Sequence, residues 1–336
     1  MANKKPEIRV FVTRALPEPA LHYLRARYGQ VDINPHDRPL TRDELLEAVK
    51  NRDGVLCLLT DTIDEAVLKA ANRARIFANC AVGVNNVDLA AATRLGIMVT
   101  NTPGVLTETT ADLTLALILA VTRRLTESER FLREGRFRGW GPMLLLGTDI
   151  RDKTLGLLGA GRIGSAVAYR AAAFGMNMIY HDRQSNHELE QNLRARRVSF
   201  EELLEQSDVL SIHVPLNEST HHLIDARALE RMKKTAFLIN TSRGSVIDEA
   251  ALAEHLRAGG LRGAGLDVYE NEPRVHEDLL TSDRAVLLPH IGSATEETRT
   301  RMAMMAAENL AAGLEGRRPP QLVNPETWSR SPRSDS

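Results

Sequence analysis

TLGLLGAGRIGSAVAYRAAAFG, residues 154–175, decides how the chain is read. An apolar run leads into Gly159, Gly161 and Gly164, and an alanine-rich apolar run follows. A G-x-G-x-x-G pattern carries meaning when a strand precedes it and a helix opens from it, as here. Gly159 permits the tight turn, Gly161 removes a side chain that would hold a diphosphate off the backbone, and Gly164 lets helix and strand pack closely. The start of the helix then offers unpaired N–H groups and a partial positive charge to that diphosphate. Arg162 is either a further phosphate contact or a solvated cation. The next apolar run, MNMIYH (176–181), ends at Asp182, close to where an acidic residue meets the adenosine ribose of a dinucleotide. A carboxylate there accepts from the ribose hydroxyls and repels a 2′-phosphate, which favours NAD. Arg183 beside it is able to pair with that phosphate and keeps NADP open.

Short apolar runs and helical patterns alternate on both sides of this turn. Before it stand RVFVTR (9–14), GVLCLLT (54–60), IFANCAVG (76–83) and IMVTN (97–101), with EPALHYLRARY (18–28) and TRDELLEAVKN (41–51) as helical patterns between them. After it come DVLSIHVPL (208–216), AFLIN (236–240), AGLDVY (264–269) and AVLLPH (285–290). Strands alternating with helices predict an α/β fold, with two doubly wound parallel-sheet domains in series. One long helix is expected from about Thr107 to Arg133, with Gly135 as its stop. Its first half, ADLTLALILAV, has no polar face, so it should be covered all round, by a second subunit as well as by its own core. The last helical pattern, residues 296–316, is expected to pack back on the first domain, and the polar tail SRSPRSDS (329–336) to be disordered.

Composition narrows the class. A chain of 336 residues has room for two domains, and 43% apolar with 26% charged residues is ordinary for a globular protein. The formal net charge of −1 gives no electrostatic footprint for nucleic acid. Cys57 and Cys80 lie in apolar runs, fit neither a metal site nor a disulfide framework, and point to a reduced, cytoplasmic setting. The start lacks the apolar core of a signal peptide, and the apolar run near residues 115–121 is too short to span a bilayer.

Three charged residues fall where strands should end: Arg243 after LIN, Glu272 after GLDVY, and His290 after AVLLP. In an open α/β sheet that edge is where ligands bind. Hydride transfer to a 2-keto acid needs a planar cation for the carboxylate, a proton donor for the carbonyl oxygen, and an acid that orients the donor and keeps it charged. Arg243, His290 and Glu272 meet those needs in turn. The other histidines, including the adjacent His221 and His222, read as solvated or structural, and no metal site is expected.

With these segments the chain resembles the D-isomer-specific 2-hydroxyacid dehydrogenases. The likeness runs through AVGVNNVDLAAATRLGI, TPGVLTETTAD, GAGRIG, HVPLNESTHHLI, INTSRGSVIDEAAL, GLDVYENEP and PHIGSAT. It implies a flavodoxin-like substrate domain (1–105 plus 298–336), a Rossmann cofactor domain (106–297), and a homodimer with its active site between the domains. It assigns catalysis to Arg243, Glu272 and His290, and the substrate carboxylate to Arg243 and the backbone of Val82 and Gly83. Around NAD or NADP it places Thr110, Arg162, Ile163, Asp182, Val214, Pro215, Thr220, Thr241, Asp267 and Gly292, beside the three glycines of the turn. Within the family CLLTDTID, NCAVGVNNVD and GWGPMLLLGTDI are most similar to glyoxylate and hydroxypyruvate reductases, in which the segment around Trp140 belongs to a dimer arm. Val84-Asn85 departs from the aromatic-Asp pair common there. Other readings remain: an NAD-sensing, corepressor-like binding protein, or a phosphite- or 2-ketogluconate-type dehydrogenase. The CAVGV loop lacks the lysine of the phosphite enzymes.

Overall fold

A computed structural model describes residues 7–330, so the polar tail beyond Arg330 lies outside the described residues. The chain divides into two compact units, one running through Leu106 and resuming at Ala294, the other spanning Thr107–Ser293.

The first unit holds β1 (Arg9–Val12), β2 (Gln30–Ile33), β3 (Gly54–Cys57), β4 (Ile76–Asn79) and β5 (Met98–Thr100) in one parallel sheet of order β2-β1-β3-β4-β5. That is the flavodoxin-like order. β3 and β4 are buried at every position, as continuous apolar strands covered on both faces must be. One covering element is the helix Glu296–Leu314, which packs on β3, β4 and the helix Glu18–Arg25 through Ala303, Ala306, Ala307 and Leu310. β2 reads QVDI and is half-exposed throughout, a polar edge strand that no apolar run announces.

The second unit holds β6 (Thr154–Leu158), β7 (Asn177–His181), β8 (Arg196–Arg197), β9 (Val209–Ile212), β10 (Phe237–Asn240), β11 (Gly263–Leu266) and β12 (Ala285–Leu287). All are parallel, in the order β12-β11-β10-β9-β6-β7-β8. The order reverses at β6, which puts the glycine turn at the switch point of a Rossmann sheet. Register brings the strand ends level. Leu158 faces His181 and Ile212, Ile212 faces Asn240, Asn240 faces Leu266, and Leu266 faces Leu287. Every loop leaving those ends therefore starts from one edge.

The long helix expected over 107–133 is two helices, Thr107–Thr122 and Leu125–Arg133. The carbonyl of Thr122, which would continue the ladder, accepts from the N–H of Thr148 at 2.8 Å instead. Arg124 then turns left-handed, at φ 54°, and starts the second helix in a new direction.

Candidate active site

The glycine turn follows β6. Gly159 has φ 96°, and a Cβ there would lie 2.9 Å from the His213 carbonyl carbon. A Cβ on Gly164 would lie 2.2 Å from the Gly159 oxygen, so helix and strand touch through bare backbone. Beside Gly161 a Cβ would meet only open space. Gly161 caps the helix Arg162–Ala173 without a side-chain hydrogen bond, so the first N–H groups are offered outward. These features fit a dinucleotide diphosphate, with Arg162 exposed and Ile163 half-buried at the first turn.

Asp182 follows β7. Its Oδ2 accepts from the N–H of Ala160 at 2.8 Å and its Oδ1 from Gln184 at 3.3 Å, which ties the ribose-side loop to the glycine turn. Arg197 braces the same loop by donating to the carbonyls of Asp182 and Arg183. Val214 and Pro215 follow β9, and the Thr220 hydroxyl closes their loop by donating to the Pro215 carbonyl at 2.6 Å.

Arg243, Glu272 and His290 leave β10, β11 and β12, three neighbouring strands with level ends. The Arg243 turn is shaped by buried Asn240, which donates to the Arg243 carbonyl at 2.9 Å and accepts from the Ser242 N–H at 3.0 Å. Gly244 then rests directly on the next loop, where a Cβ would lie 1.8 Å from the Tyr269 carbonyl carbon. Burial lowers the pKa of Arg243 and the Glu272 charge opposes that; the guanidinium stays a cation at neutral pH.

Glu272 bridges two partners. Its Oε1 accepts from the Tyr269 N–H at 3.1 Å, and its Oε2 lies 2.8 Å from His290 Nδ1. Burial pushes its carboxyl up, but the His290 hydrogen bond and charge, the Tyr269 N–H and Arg243 together hold it below the usual carboxylate range. With Nδ1 turned to Glu272, Nε2 is the atom left to exchange a proton.

His290 has φ 54°, a left-handed conformation that costs a side-chain-bearing residue about 1–2 kcal/mol. Asp267 stabilises it. This carboxylate is 1% exposed and accepts from the N–H groups of Ile291 and Gly292, each at 2.7 Å. Burial raises the Asp267 pKa, against the pull of those amides and of His290. The Thr110 hydroxyl donates to the Gly292 carbonyl at 3.1 Å, and the Thr114 hydroxyl meets that of Thr241 at 2.9 Å. Thr110, Thr241, Asp267 and Gly292 thus form one hydrogen-bonded wall behind the His290 turn. Sequence spacing gave no sign of it, because Asp267 and its amides lie far apart in the chain.

In the first unit, Val82 and Gly83 follow β4. Their carbonyls accept from the side-chain amides of Asn101 at 2.8 Å and Asn79 at 3.0 Å, which fixes the loop from below. Among the described residues, His221, His222 and Glu270 bring three metal-capable side chains within 4.8 Å of one another. The two rings stack at 4.0 Å, and His222 Nε2 lies 2.7 Å from Glu270 Oε1.

Residues 115–292 match the family described as D-isomer specific 2-hydroxyacid dehydrogenase, NAD binding domain. A glyoxylate reductase of Korarchaeum cryptofilum is 49% identical over 320 residues, with 95% of this chain and 96% of that protein covered. A glyoxylate reductase of Aeropyrum pernix is 51% identical over 328 residues, with 96% and 97% covered. Among solved structures, an NADPH-dependent glyoxylate/hydroxypyruvate reductase from Sinorhizobium meliloti, in complex with NADP and malonate, superposes with a TM-score of 0.83 at 34% identity, with 96% of this chain and 98% of that one covered.

Proposed function

The chain belongs to the D-isomer specific 2-hydroxyacid dehydrogenases and is an NAD(P)-dependent enzyme of small keto or hydroxy acids, and on that premise we propose that it reduces glyoxylate or hydroxypyruvate through Arg243, Glu272 and His290. The observation that carries the proposal is the 2.8 Å contact between His290 Nδ1 and Glu272 Oε2 at the strand end next to that of Arg243.

A bound reduced nicotinamide supplies the hydride. Arg243 gives the substrate carboxylate two parallel hydrogen bonds and fixes the keto carbon. The resemblance of the CAVGV segment adds the Val82 and Gly83 amides to the carboxylate's donors. His290 Nε2 delivers a proton to the carbonyl oxygen as negative charge builds there, a contribution of about 10²–10⁴ in rate. Glu272 holds Nδ1–H and balances the imidazolium. In the oxidative direction His290 takes the proton back.

The turn Gly159, Gly161 and Gly164, with Arg162 and Ile163, would hold the cofactor's diphosphate, and Asp182 its ribose. Val214, Pro215 and Thr220, and the hydrogen-bonded group of Thr110, Thr241, Asp267 and Gly292, would complete the cofactor's contacts, as the family resemblance implies. Asp182 favours NAD; Arg183, exposed and in no ion pair among the described residues, leaves NADP acceptable.

The relatives' names favour this reading over a corepressor-like sensor and over the phosphite and 2-ketogluconate branches. A homodimer fits a helix, Thr107–Thr122, that leaves Leu113, Ala116, Leu119 and Ala120 partly or fully exposed. It also fits the arm beyond residue 133, where Phe137, Trp140 and Met143 are 50%, 84% and 77% exposed. Two buried free thiols, Cys57 and Cys80, suit a reducing cytoplasm.

The test is a steady-state comparison of glyoxylate, hydroxypyruvate, pyruvate, 2-ketogluconate and phosphite with each nicotinamide cofactor. The first two should exceed the others in kcat/KM by at least about tenfold, the scale at which a pocket resolves one small group. A higher kcat/KM for pyruvate or 2-ketogluconate would reject the substrate assignment.

A further inference from the structure

We propose that Glu249 is a positioning residue whose buried carboxylate staples the two ends of the loop that carries Glu272. The proposal rests on the catalytic assignment of Glu272 and His290 above.

Glu249 opens the helix Glu249–Arg257 and is 8% exposed. A carboxylate in a first helical turn is favourable wherever it points. This one points away from its own helix. Its Oε2 accepts from the N–H of Glu270 at 2.7 Å, and its Oε1 accepts from the N–H of His276 at 2.7 Å. Between those two amides the chain runs through Asn271, Glu272, Pro273 and Arg274, all exposed. Val275, next before His276, is half-buried against the core, and the Arg274 N–H donates to the Asn271 carbonyl at 2.9 Å, so the exposed stretch around Glu272 is a short turn whose two ends Glu249 ties together.

One side chain bonds to both ends. Two short bonds from backbone N–H groups to one ionised carboxylate are of the strong, charge-assisted kind. Glu270 is held from the other side as well, through the 2.7 Å contact of its carboxylate with His222. Glu272 lies two residues beyond the first staple point, and its Oε2 must meet His290 within a hydrogen-bond length. Any slack in the loop appears directly as error in that contact. Glu249 touches neither Glu272 nor His290 in the described hydrogen bonds. Its influence on chemistry passes through the loop.

Kinetics of the full-length enzyme with glyoxylate and NADH tests this. Glu249→Gln presents an amide where two N–H groups need acceptors, so one staple is lost. The expected result is a kcat lower by about 10-fold to 100-fold, the scale of a small misplacement of a reacting group, with KM for NADH within about twofold of the parent. In a Glu272→Gln background the same change should cost less than about twofold, because the loop no longer positions a charged partner. An equal cost in both backgrounds, or a Glu249→Gln enzyme within about threefold of the parent, overturns the proposal. A Glu272→Gln enzyme as fast as the parent overturns the catalytic assignment and the proposal with it, a result distinct from the other two. If Glu249→Gln does not fold, His276→Pro removes one of the two donors at a residue whose φ of −59° proline accepts, and the same pair of backgrounds decides.

Discussion

Nδ1 of His290 lies 2.8 Å from Oε2 of Glu272, although the two side chains leave the sheet from different strands, β12 and β11. The pair exists because parallel register levels the strand ends, and because Asp267 holds the His290 turn in a conformation it would not choose alone. An imidazole so held has one nitrogen fixed and one free for chemistry.

The pair leaves a signature in stability against pH. Glu272 titrates below its ordinary value, about 4.3, so its stabilising contribution is present above that pH and is lost as pH falls through the depressed value. In His290→Ala the partner that opposes burial most strongly is gone, and burial then acts against the charged carboxylate. Thermal melts should therefore show a gap between parent and variant that is full near pH 7, larger than at acid pH by about 2–4 °C, and that shrinks as pH falls below about 4. A gap that stays constant across that range would count against a paired Glu272.

Arg243→Lys tests the carboxylate clamp. Lysine keeps the charge but loses the planar fork, and the Gly244 backbone contact leaves little room for adjustment. KM for glyoxylate should rise by at least about tenfold, with NADH binding, followed by its fluorescence, unchanged. An unchanged KM would remove Arg243 from the substrate.

Gly161 and Gly164 should fail in different ways. Gly164→Ala drives a methyl into the Gly159 carbonyl and should cost about 1–3 kcal/mol, a drop of several degrees in Tm. Gly161→Ala meets open space, so Tm should hold while NADH affinity falls by about tenfold or more. Equal effects on Tm would mean that Gly161 is there for the turn and not for the ligand.

Fold class was legible because β3, β4, β6, β7, β9, β10, β11 and β12 are largely apolar and separated by helical periods; β8, the exposed pair Arg196-Arg197, carries no such run. β2 was not, since QVDI is a half-exposed edge strand. The break near Arg124 was hidden too, because its cause is a hydrogen bond from Thr148, remote in sequence. In the site, Arg243, Glu272 and His290 could be singled out because strand ends are readable. Asp267 and Glu249 could not be given their present partners, since an acid after a strand or at a helix start says nothing about which distant amides it will take.

The exposed face of the helix Thr107–Thr122 bears on assembly. Ala116 is exposed, and an arginine there should disfavour burial against a second copy. Sedimentation at micromolar concentration should give a dimer for the parent and a monomer for Ala116→Arg. A monomeric parent would remove the dimer from the proposal.

The most direct measurement is single-turnover hydride transfer from bound NADH to glyoxylate in His290→Ala, followed by NADH absorbance at saturating cofactor. If His290 delivers the proton, the step slows by about 100-fold or more while the dissociation constant for NADH stays within about twofold. A rate within about threefold of the parent would contradict that role.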